Sequence, residues 1–327
     1  MKKLMTGNEA LVQGAWEAGV LVASAYPGTP STEIIENMSA RKEVYSEWAP
    51  NEKVAMEAAI GASIAGVRSL AAMKHVGLNV AADPLFTFVY TGVNGGMVVV
   101  TADEPGQHSS QNEQDNRNYA RAAMIPMMEP ATSAEARDFM KEAYEISERF
   151  DTPVLMRMTT RACHSKGLVD CGDRVEKAPV KPYEKKYVMV PANAKVRRVE
   201  LTERLKKLEE FSEQTPLNFV EDNGSKVGVI TSGMCYCFAK EVFGDDVNYL
   251  KLGFTYPLPQ KKIAEFCKGL DTIYVIEEND PLIEAEVQRL GFEPKGKNTF
   301  PAYDELTSDV IRRCVHGEEF ETIDYDK

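Results

Sequence analysis

The sequence lacks long apolar runs and has no excess of positive charge. No run approaches the roughly 18 consecutive apolar residues that cross a bilayer. The 327 residues include 38 Lys and Arg against 50 Asp and Glu, a formal net charge of −12 that no basic block offsets locally. We therefore predict a soluble protein that binds neither nucleic acid nor membranes.

Motifs for disulfides, metals and dinucleotides are also missing. The six cysteines form no CxxC pair, and a chain of this length needs no disulfides. Cys235 and Cys237 are close in sequence but point in different directions on a helix or strand, so we expect free thiols and no metal. No Gly-x-Gly-x-x-Gly follows the first predicted strand, which argues against a dinucleotide-binding protein. The residues after Met1-Lys2-Lys3 turn polar at once, which predicts no signal peptide and a cytoplasmic location.

Residues 1–165 alternate short apolar runs with amphipathic segments. This pattern predicts βαβ units and a mostly parallel sheet. The predicted strands cover residues 20–25, 44–48, 69–73, 97–102, 126–128 and 154–159. The predicted helices cover residues 7–18, 31–38, 52–65, 83–90 and 134–149.

Residues 166–223 break this rhythm, since they are rich in Lys, Pro and Glu and carry one amphipathic helix over 199–212. We interpret them as a linker between two domains. Residues 224–327 resume the alternation and predict a smaller α/β domain. Its strands are expected at 226–231, 248–252 and 272–277, and its helices at 235–243, 260–268 and 281–290.

Three polar or glycine-containing segments follow predicted strands, at residues 24–32, 51–62 and 73–79. In a parallel sheet such turns meet at the carboxyl edge, where ligands bind. Within the second segment Asn51 is a good N-cap, and Glu52 suits the first turn of a helix. Capping alone would also explain this pair of residues.

A fourth segment, residues 103–118, is unusually polar for the connection after a buried strand. It contains His108, Ser109, Ser110, Gln111, Asn112 and Gln114. A plain surface loop would explain this composition. A binding loop at the same sheet edge is the alternative.

Together these segments resemble the pyrimidine-binding domain of thiamine diphosphate enzymes, specifically the alpha subunits of the indolepyruvate:ferredoxin oxidoreductase family. The resemblance covers nearly the whole chain, and residues 226–290 are similar to the transketolase C-terminal type of domain. It implies an α/β fold with these two domains in that order. The motifs that carry it are Tyr-Pro-Gly-Thr-Pro-Ser at 26–31, Asn-Glu-Lys at 51–53, Lys-His-Val-Gly-Leu-Asn at 74–79 and Gly-Gln-His-Ser-Ser-Gln-Asn-Glu-Gln-Asp at 106–115.

The resemblance implies a definite catalytic role for Glu52. In thiamine enzymes the equivalent glutamate hydrogen-bonds a nitrogen of the pyrimidine ring and promotes the imino tautomer, whose 4′-imino group removes the proton from C2 of the thiazolium ring. Glu57 lies about 140° around the helix from Glu52, so we expect it to be a surface or interface charge. Small residues of the same helix are expected to pack closely and exclude water: Ala55, Ala58, Ala59 and Gly61.

The remaining site residues are also implied by the matching motifs. His108 is a candidate proton carrier or substrate ligand. The residues implied to bind the cofactor, besides Glu52, are Gly28, His75, Gly77 and Asn79. The residues implied to bind the substrate are Thr29, Ser31, Ser109, Ser110, Gln111 and Arg161.

Structural roles stay open for several of these residues. Ser31 is expected to cap the helix that follows the Pro-Gly turn. His75 would often be a hydrogen-bonded structural residue when isolated in this way. Arg161 and His164 could pair with acidic residues at the domain boundary.

Two parts of a complete thiamine enzyme are not found in the sequence. The usual diphosphate motif is Gly-Asp-Gly followed later by Asn, and neither Gly172-Asp173-Arg174 nor Gly244-Asp245-Asp246 matches it. The clustered cysteines of a ferredoxin-like domain are absent too. We therefore expect that the chain supplies the pyrimidine-side half of a cofactor site and is inactive alone. It would be either a piece of a longer protein or one subunit of a split enzyme.

The resemblance implies that the intact complex decarboxylates indolepyruvate or a related aryl 2-oxo acid oxidatively to an acyl-CoA. It implies thiamine diphosphate with Mg²⁺, iron–sulfur clusters on a missing domain or a partner, coenzyme A as co-substrate and ferredoxin as electron acceptor. A homodimer, a partner subunit that carries the missing domains, or both are expected. The alternatives are a pyruvate or branched-chain 2-oxo acid enzyme, and a non-catalytic assembly or regulatory paralogue.

Overall fold

A computed structural model describes residues 1–181 and 184–318, so residues 319–327 of the predicted C-terminal domain lie outside the described residues. Its strands are β1 Lys2–Thr6, β2 Val22–Ala25, β3 Tyr45–Trp48, β4 Ser69–Lys74, β5 Met97–Asp103, β6 Met127–Met128, β7 Val154–Thr159, β8 Lys166–Asp170, β9 Asn218–Glu221, β10 Val227–Ser232, β11 Asn248–Leu252, β12 Phe254–Tyr256 and β13 Thr272–Ile276. Its α-helices are α1 Gly7–Glu17, α2 Thr32–Ser39, α3 Glu52–Ile64, α4 His75–Val80, α5 Ala82–Thr91, α6 Arg117–Ala123, α7 Ser133–Phe150, α8 Thr160–His164, α9 Pro191–Gln214, α10 Gly233–Phe243, α11 Gln260–Cys267, α12 Leu282–Arg289 and α13 Ser308–His316.

The main sheet has the strand order β12-β6-β7-β5-β4-β2-β3 among the described residues. All neighbours in it are parallel except β12 and β6, which are antiparallel. The chain runs outward from β2 to β3 and then returns to the other side of β2 to form β4. The strand order therefore reverses between β2 and β4, and the crevice at their carboxyl ends is where ligands bind in open α/β sheets.

Hydrophobic cores cover both faces of the main sheet. Leu70 and Ala72 of β4 face one core, whereas Ala71 and Met73 face the other. Every residue of β5 is buried. The continuous apolar run from which this central strand was predicted is thus explained by burial on both sides.

A smaller sheet, with the order β13-β10-β11-β9, follows along the chain. Its strands β13, β10 and β11 are parallel, and β9 is antiparallel to β11. The predicted strands of this region are confirmed. The predicted linker residues 166–223 contain more structure than expected, because β8 pairs with β1 and β9 joins the smaller sheet.

The helix predicted over 199–212 is longer and begins at Pro191, a residue suited to a first helical position. Cations of this region hold it to the C-terminal end of α5. Arg197 Nε donates to Tyr90 O at 2.8 Å, and Arg204 Nη1 donates to Val89 O at 2.8 Å. Arg197 also pairs with Asp151 at 3.0 Å. Positive charge is favourable at the carbonyl end of a helix, so these contacts tie the charged segment to the main sheet.

Three local predictions can be scored. The predicted N-cap of α3 is confirmed, because the Asn51 side chain accepts from Val54 N at 3.0 Å. The expected cap by Ser31 is wrong, because its hydroxyl donates to Gly28 O at 2.9 Å instead. Close packing at Gly61 is also wrong within the described residues, since a Cβ built there would meet nothing within 4 Å. No helix of the described part could cross a bilayer.

Candidate active site

Glu52 lies at the carboxyl edge of the main sheet, in the first turn of α3. Its carboxylate packs against Gly77, where a Cβ would lie 2.6 Å from Glu52 Oε1 and 2.7 Å from Glu52 Cγ. The residue is only 8% exposed. Within the described residues this carboxylate accepts no hydrogen bond and makes no ion pair. A carboxylate at a largely buried residue that has no partner in the protein is suited to a ligand that donates a hydrogen bond.

His75 begins α4, directly after β4, and is fully buried. Its Nε2 lies 3.0 Å from Asn112 O. A carbonyl oxygen only accepts, so in the neutral imidazole Nε2 carries the proton and Nδ1 is left as an acceptor. That Nδ1 atom is buried and has no partner among the described residues. The Nε2 atom of His75 is therefore held by a backbone carbonyl, whereas its Nδ1 atom lacks a hydrogen-bond partner among the described residues.

The segment after β5 folds over β4 and α4 through three contacts. Lys74 Nζ donates to Ser110 Oγ at 3.1 Å, and Asn79 Nδ2 donates to Gln114 Oε1 at 2.8 Å. The bond from His75 to Asn112 lies between these two in the sequence. The fourth polar segment thus lies at the same edge as the other three, where the sequence analysis expected it as one alternative.

Two serines and a histidine of this segment differ in their environments. Ser109 donates to Glu104 Oε1 from both its backbone N and its hydroxyl, each at 2.8 Å. Ser110 is partly buried beside Lys74. His108 and Gln111 are exposed, and the His108 ring lies near Gly106, with Nε2 at 3.2 Å from a Cβ built there.

The turn between β2 and α2 places Gly28, Thr29 and Ser31 at the same edge. Ser31 is buried, whereas Thr29 is exposed. The Lys74 side chain lies across Gly28, since a Cβ at Gly28 would be 3.0 Å from Lys74 Cγ and 3.1 Å from its Cδ. Glycine at this position therefore lets the turn and the end of β4 approach closely.

Arg161 is held by an acidic partner beside the polar segment that follows β5. Its Nε donates to Glu305 Oε1 at 2.6 Å, which ties α8 to the C-terminal region. His164 Nε2 lies 3.7 Å from Glu33 Oε1. For both residues the structure shows the pairing with acidic residues that the sequence analysis left open.

Sequence reasoning missed a buried charge cluster at the other half of this edge, where the smaller sheet meets the main sheet. Arg157 Nε pairs with Asp103 Oδ2 at 2.7 Å and its Nη1 with Glu129 Oε2 at 2.8 Å. Arg117 Nη1 pairs with Glu277 Oε2, which follows β13, at 2.6 Å. The available signal was a single arginine within the apolar run Leu155-Met156-Arg157-Met158.

The pKa values in this cluster show how burial and charge compete. Burial raises the pKa of Asp115, but the adjacent charges of Arg117 and Arg157 outweigh it and lower the pKa to about 2. Burial raises the pKa of Glu278 to about 7, with Arg157 only partly opposing it. The cluster thus contains one carboxyl group held firmly ionised and another close to its titration point at neutral pH.

Two sizeable clefts lie away from Glu52. One cleft of about 710 Å³ lies beside the smaller sheet, lined by Lys226, Lys261 and Phe266 among others. Another, of about 480 Å³, lies between α6, β12 and α12. Neither contains Glu52, and the geometry at Glu52 and Gly77 identifies the candidate site better than cleft size.

The amino-acid sequence matches two family models. Residues 13–211 match the model described as pyruvate flavodoxin/ferredoxin oxidoreductase, thiamine diphosphate-binding, and residues 219–305 match the indolepyruvate oxidoreductase domain. A relative from Methanothermobacter marburgensis, named indolepyruvate oxidoreductase subunit IorA, is 45% identical over 96% of this chain and 54% of its own length. The chain therefore spans about half the length of this relative.

Two solved structures are similar in fold. The 2-oxoglutarate:ferredoxin oxidoreductase from Magnetococcus marinus has a TM-score of 0.79 and 17% identity, and the match covers 97% of this chain and 65% of that chain. A split-gene transketolase has a TM-score of 0.59 and 15% identity over 95% of this chain and 96% of that chain. They confirm the predicted α/β fold, and together with the first family model they confirm a pyrimidine-binding type of domain followed by a transketolase C-terminal-like domain. Because the first family model covers more than half of the sequence, the chain belongs to the thiamine diphosphate-binding family of pyruvate flavodoxin/ferredoxin oxidoreductases.

Proposed function

We propose that this chain is the pyrimidine-side component of a thiamine diphosphate-dependent 2-oxoacid:ferredoxin oxidoreductase, with Glu52 as its catalytic carboxylate. The observation that carries the proposal is the unpartnered, buried Glu52 held against Gly77 at the strand-order reversal. Family membership supports a pyrimidine nitrogen as the proposed partner of Glu52. The activity of the whole enzyme needs parts that this chain does not supply.

The residues present fit the pyrimidine side of thiamine diphosphate. Glu52 would hold the ring nitrogen through a shared proton, and Gly77 would leave room for the ring to reach it. His75 Nδ1 is a second unsatisfied acceptor beside them. When bound, the cofactor supplies a carbon nucleophile for the keto carbon of the substrate. Ala55 and Ala59 are fully buried behind Glu52 and exclude water from that side of the carboxylate.

The unpartnered Glu52 carboxylate supports completion of the site by another domain or subunit. We assign Mg²⁺ and the diphosphate to that partner, because no Gly-Asp-Gly motif is found here. Iron–sulfur clusters, coenzyme A as co-substrate and ferredoxin as acceptor likewise belong to the complex. The exposed face of α3, where Gly61 is open and Val54 is 38% exposed, is the proposed contact for that partner.

We propose indolepyruvate or a related aryl 2-oxo acid as the substrate. The support is the indolepyruvate oxidoreductase domain match and the name of the 45% identical relative. Thr29, Ser109, Ser110 and Gln111 lie at the edge where such a substrate would meet the cofactor. His108, exposed beside Gly106, remains the proposed proton carrier, and Asn79 would help to hold the loop over the cofactor.

Glu52→Gln in the assembled oxidoreductase tests this function. Glutamine keeps the size of the side chain but cannot share a proton, so we expect turnover of indolepyruvate to fall by at least roughly 100-fold. The melting temperature and assembly should stay unchanged. Glu57→Gln is the matched control, since Glu57 lies exposed on the same helix. Full turnover by Glu52→Gln would instead favour a non-catalytic assembly or regulatory subunit.

A further inference from the structure

Lys74 is a partly buried cation that has no acidic partner within the described residues. It is the last residue of β4 and lies at the candidate site. Two other lysines withdrawn from water have acidic partners, since Lys186 pairs with Asp151 and the fully buried Lys251 pairs with Glu135. Lys297 instead donates to two backbone carbonyls, whereas Lys74 has only the Ser110 hydroxyl among the described residues. A charge that is partly removed from water and left unpaired is unfavourable, which points to a partner supplied by a ligand.

The position of Lys74 is set by two segments. Its aliphatic stem lies across Gly28, and its Nζ donates to Ser110 Oγ at 3.1 Å. It therefore bridges the turn after β2 and the polar segment after β5. The α4 helix that begins at the next residue carries Gly77, which contacts Glu52. The ammonium group thus lies between the two segments expected to bind substrate, and its residue directly precedes the helix that contacts Glu52.

The hydrogen-bonding capacity of this ammonium group is not exhausted. An ammonium group has three donors, and Ser110 takes one of them. Glu104 is the nearby acid of the same segment, but Ser109 occupies its Oε1 and no ion pair joins it to Lys74. Burial raises the pKa of Glu104, whereas hydrogen bonds from Ser110 and Ser109 lower it further than burial raises it. Glu104 thus serves to position the serines, and Lys74 keeps donors for an anion.

We propose that Lys74 binds the carboxylate of the 2-oxo acid and thereby selects a charged substrate over a neutral carbonyl compound. This inference rests on the proposed function, and it assigns the recognition of the carboxylate to a residue outside the predicted set. Ser110 positions the ammonium group, and Gly28 provides the surface along which the stem is aligned. Carboxylate recognition by a desolvated lysine is a charge-assisted hydrogen bond, which is among the stronger polar contacts.

The test is Lys74→Met in the assembled oxidoreductase. Methionine retains an unbranched stem over Gly28 and removes the charge together with its hydrogen-bond donors. We expect the KM for indolepyruvate to rise roughly 10- to 100-fold, the range for loss of a hydrogen bond to a charged group, with kcat changed much less. The affinity for thiamine diphosphate should stay within about a factor of three. Lys74→Arg should restore most of the substrate affinity.

Lys42→Met is the matched control, because Lys42 is exposed just before β3 at the opposite edge of the sheet, and it should leave KM unchanged. An unchanged KM in Lys74→Met would overturn the inference. Loss of thiamine diphosphate affinity or of assembly instead of substrate affinity would overturn it equally, since Lys74 would then act on the cofactor or the fold.

Binding of indolepyruvate to Glu52→Gln and to the Glu52→Gln/Lys74→Met double variant, measured by calorimetry without turnover, separates this inference from the proposed function. Weaker binding in the double variant supports the role of Lys74 even if Glu52→Gln proves fully active. Equal binding in the two proteins refutes that role even if Glu52→Gln is inactive.

Discussion

The carboxyl edge of the main sheet has two halves with opposite electrostatic character. At the ends of β5, β7 and β6, buried charges find partners within the chain, as Arg157 does with Asp103 and Glu129. At the ends of β2, β3 and β4, Glu52 and Lys74 have no ion-pair partner among the described residues, and the buried His75 Nδ1 has no hydrogen-bond partner there. The same edge thus carries a completed cluster and an incomplete one.

This contrast separates structural from functional polar groups. The free-energy cost of removing a charge from water is offset only when the charge has a partner in good geometry. Where the chain supplies the partner, the charges join the two sheets. Where it does not, the unsatisfied groups mark the surface that a ligand or a second protein must complete. Ion pairing is therefore a better guide to this site than burial or hydrogen bonding, since Asp103 Oδ1 and Glu129 Oε1 of the paired half are also buried without a hydrogen-bond partner among the described residues.

The largest expected effect comes from breaking the completed half. Arg157→Met leaves Asp103 and Glu129 without their shared cation in a buried setting. We expect the free energy of unfolding to fall by about 3–5 kcal/mol. Urea unfolding followed by circular dichroism measures the change.

Arg161→Met is the control for that measurement. Its pair with Glu305 is partly exposed, with 49% of the arginine side chain accessible. The loss should stay below about 1 kcal/mol. Equal losses for the two variants would show that the buried cluster contributes no more to stability than a partly exposed ion pair.

The half of the edge that contains Glu52 can be disturbed without substituting a charged residue. Gly77→Ala would place a methyl group 2.6 Å from Glu52 Oε1, so the carboxylate must move. We expect kcat/KM to fall by roughly 10- to 100-fold, since small displacements of a catalytic group have effects of this order. Stability should change little, because alanine is a good helix former. Activity equal to that of the unmodified enzyme would contradict the proposed contact between cofactor and Glu52.

A pH-dependent effect distinguishes Glu278 from its neighbours. Its folded pKa of about 7 lies above the ordinary value of 4.5, so the folded protein binds the proton more tightly than the unfolded chain. The contribution of protonated Glu278 to the free energy of unfolding is fully present below pH 4.5 and is lost as pH rises through about 7. Glu278→Gln should therefore raise the free energy of unfolding at pH 8 by roughly 1–2 kcal/mol.

The same substitution should have little effect at pH 5, where Glu278 is still protonated in the folded protein. Thermal melts from pH 5 to pH 8 test this difference. A gain that does not vary with pH would refute the assignment. Glu284→Gln is not a suitable control, because Glu284 accepts a backbone hydrogen bond from Lys297 at 2.8 Å.

The smallest effect is expected at Gly61. A Cβ there meets nothing, and the residue lies inside α3, so Gly61→Ala should stabilise the isolated chain by roughly 0.5–1 kcal/mol. In the assembled enzyme the same change should weaken association if a partner packs on this face. Light scattering at several protein concentrations compares the association of the Gly61→Ala variant with that of the unmodified protein. Unaltered association would remove α3 from the proposed interface.

The sequence allowed the central parts of this fold to be predicted because the signals there are local. The apolar run of β5 and the cap at Asn51 need no knowledge of distant residues. The α4 helix was missed, since Gly77 and the polar residues around it favour a loop by local criteria. The contact between Glu52 and Gly77 joins residues 25 positions apart, and the family resemblance, not spacing, brought them together.

Long-range pairing explains the remaining failures. Nothing local in Phe254–Tyr256 shows that this strand pairs with β6, and nothing local in Arg117 shows its bond to Glu277. Lys74 lies in one of the motifs that carry the family resemblance, but the sequence analysis gave it no role. A lysine indicates a binding site only when it is known to lack an acidic partner, and the sequence alone does not show this. Such facts depend on which surfaces meet after folding.

The pairing of β12 with β6 also has a consequence for how the protein is made. A ribosome releases Met127–Met128 long before Phe254–Tyr256, so during synthesis the sheet that bears Glu52 has an unprotected border. Unpaired strand borders attract other chains. Completion of the catalytic sheet must therefore wait for the second half of the polypeptide, and a nascent chain stalled after residue 223 should be prone to aggregate.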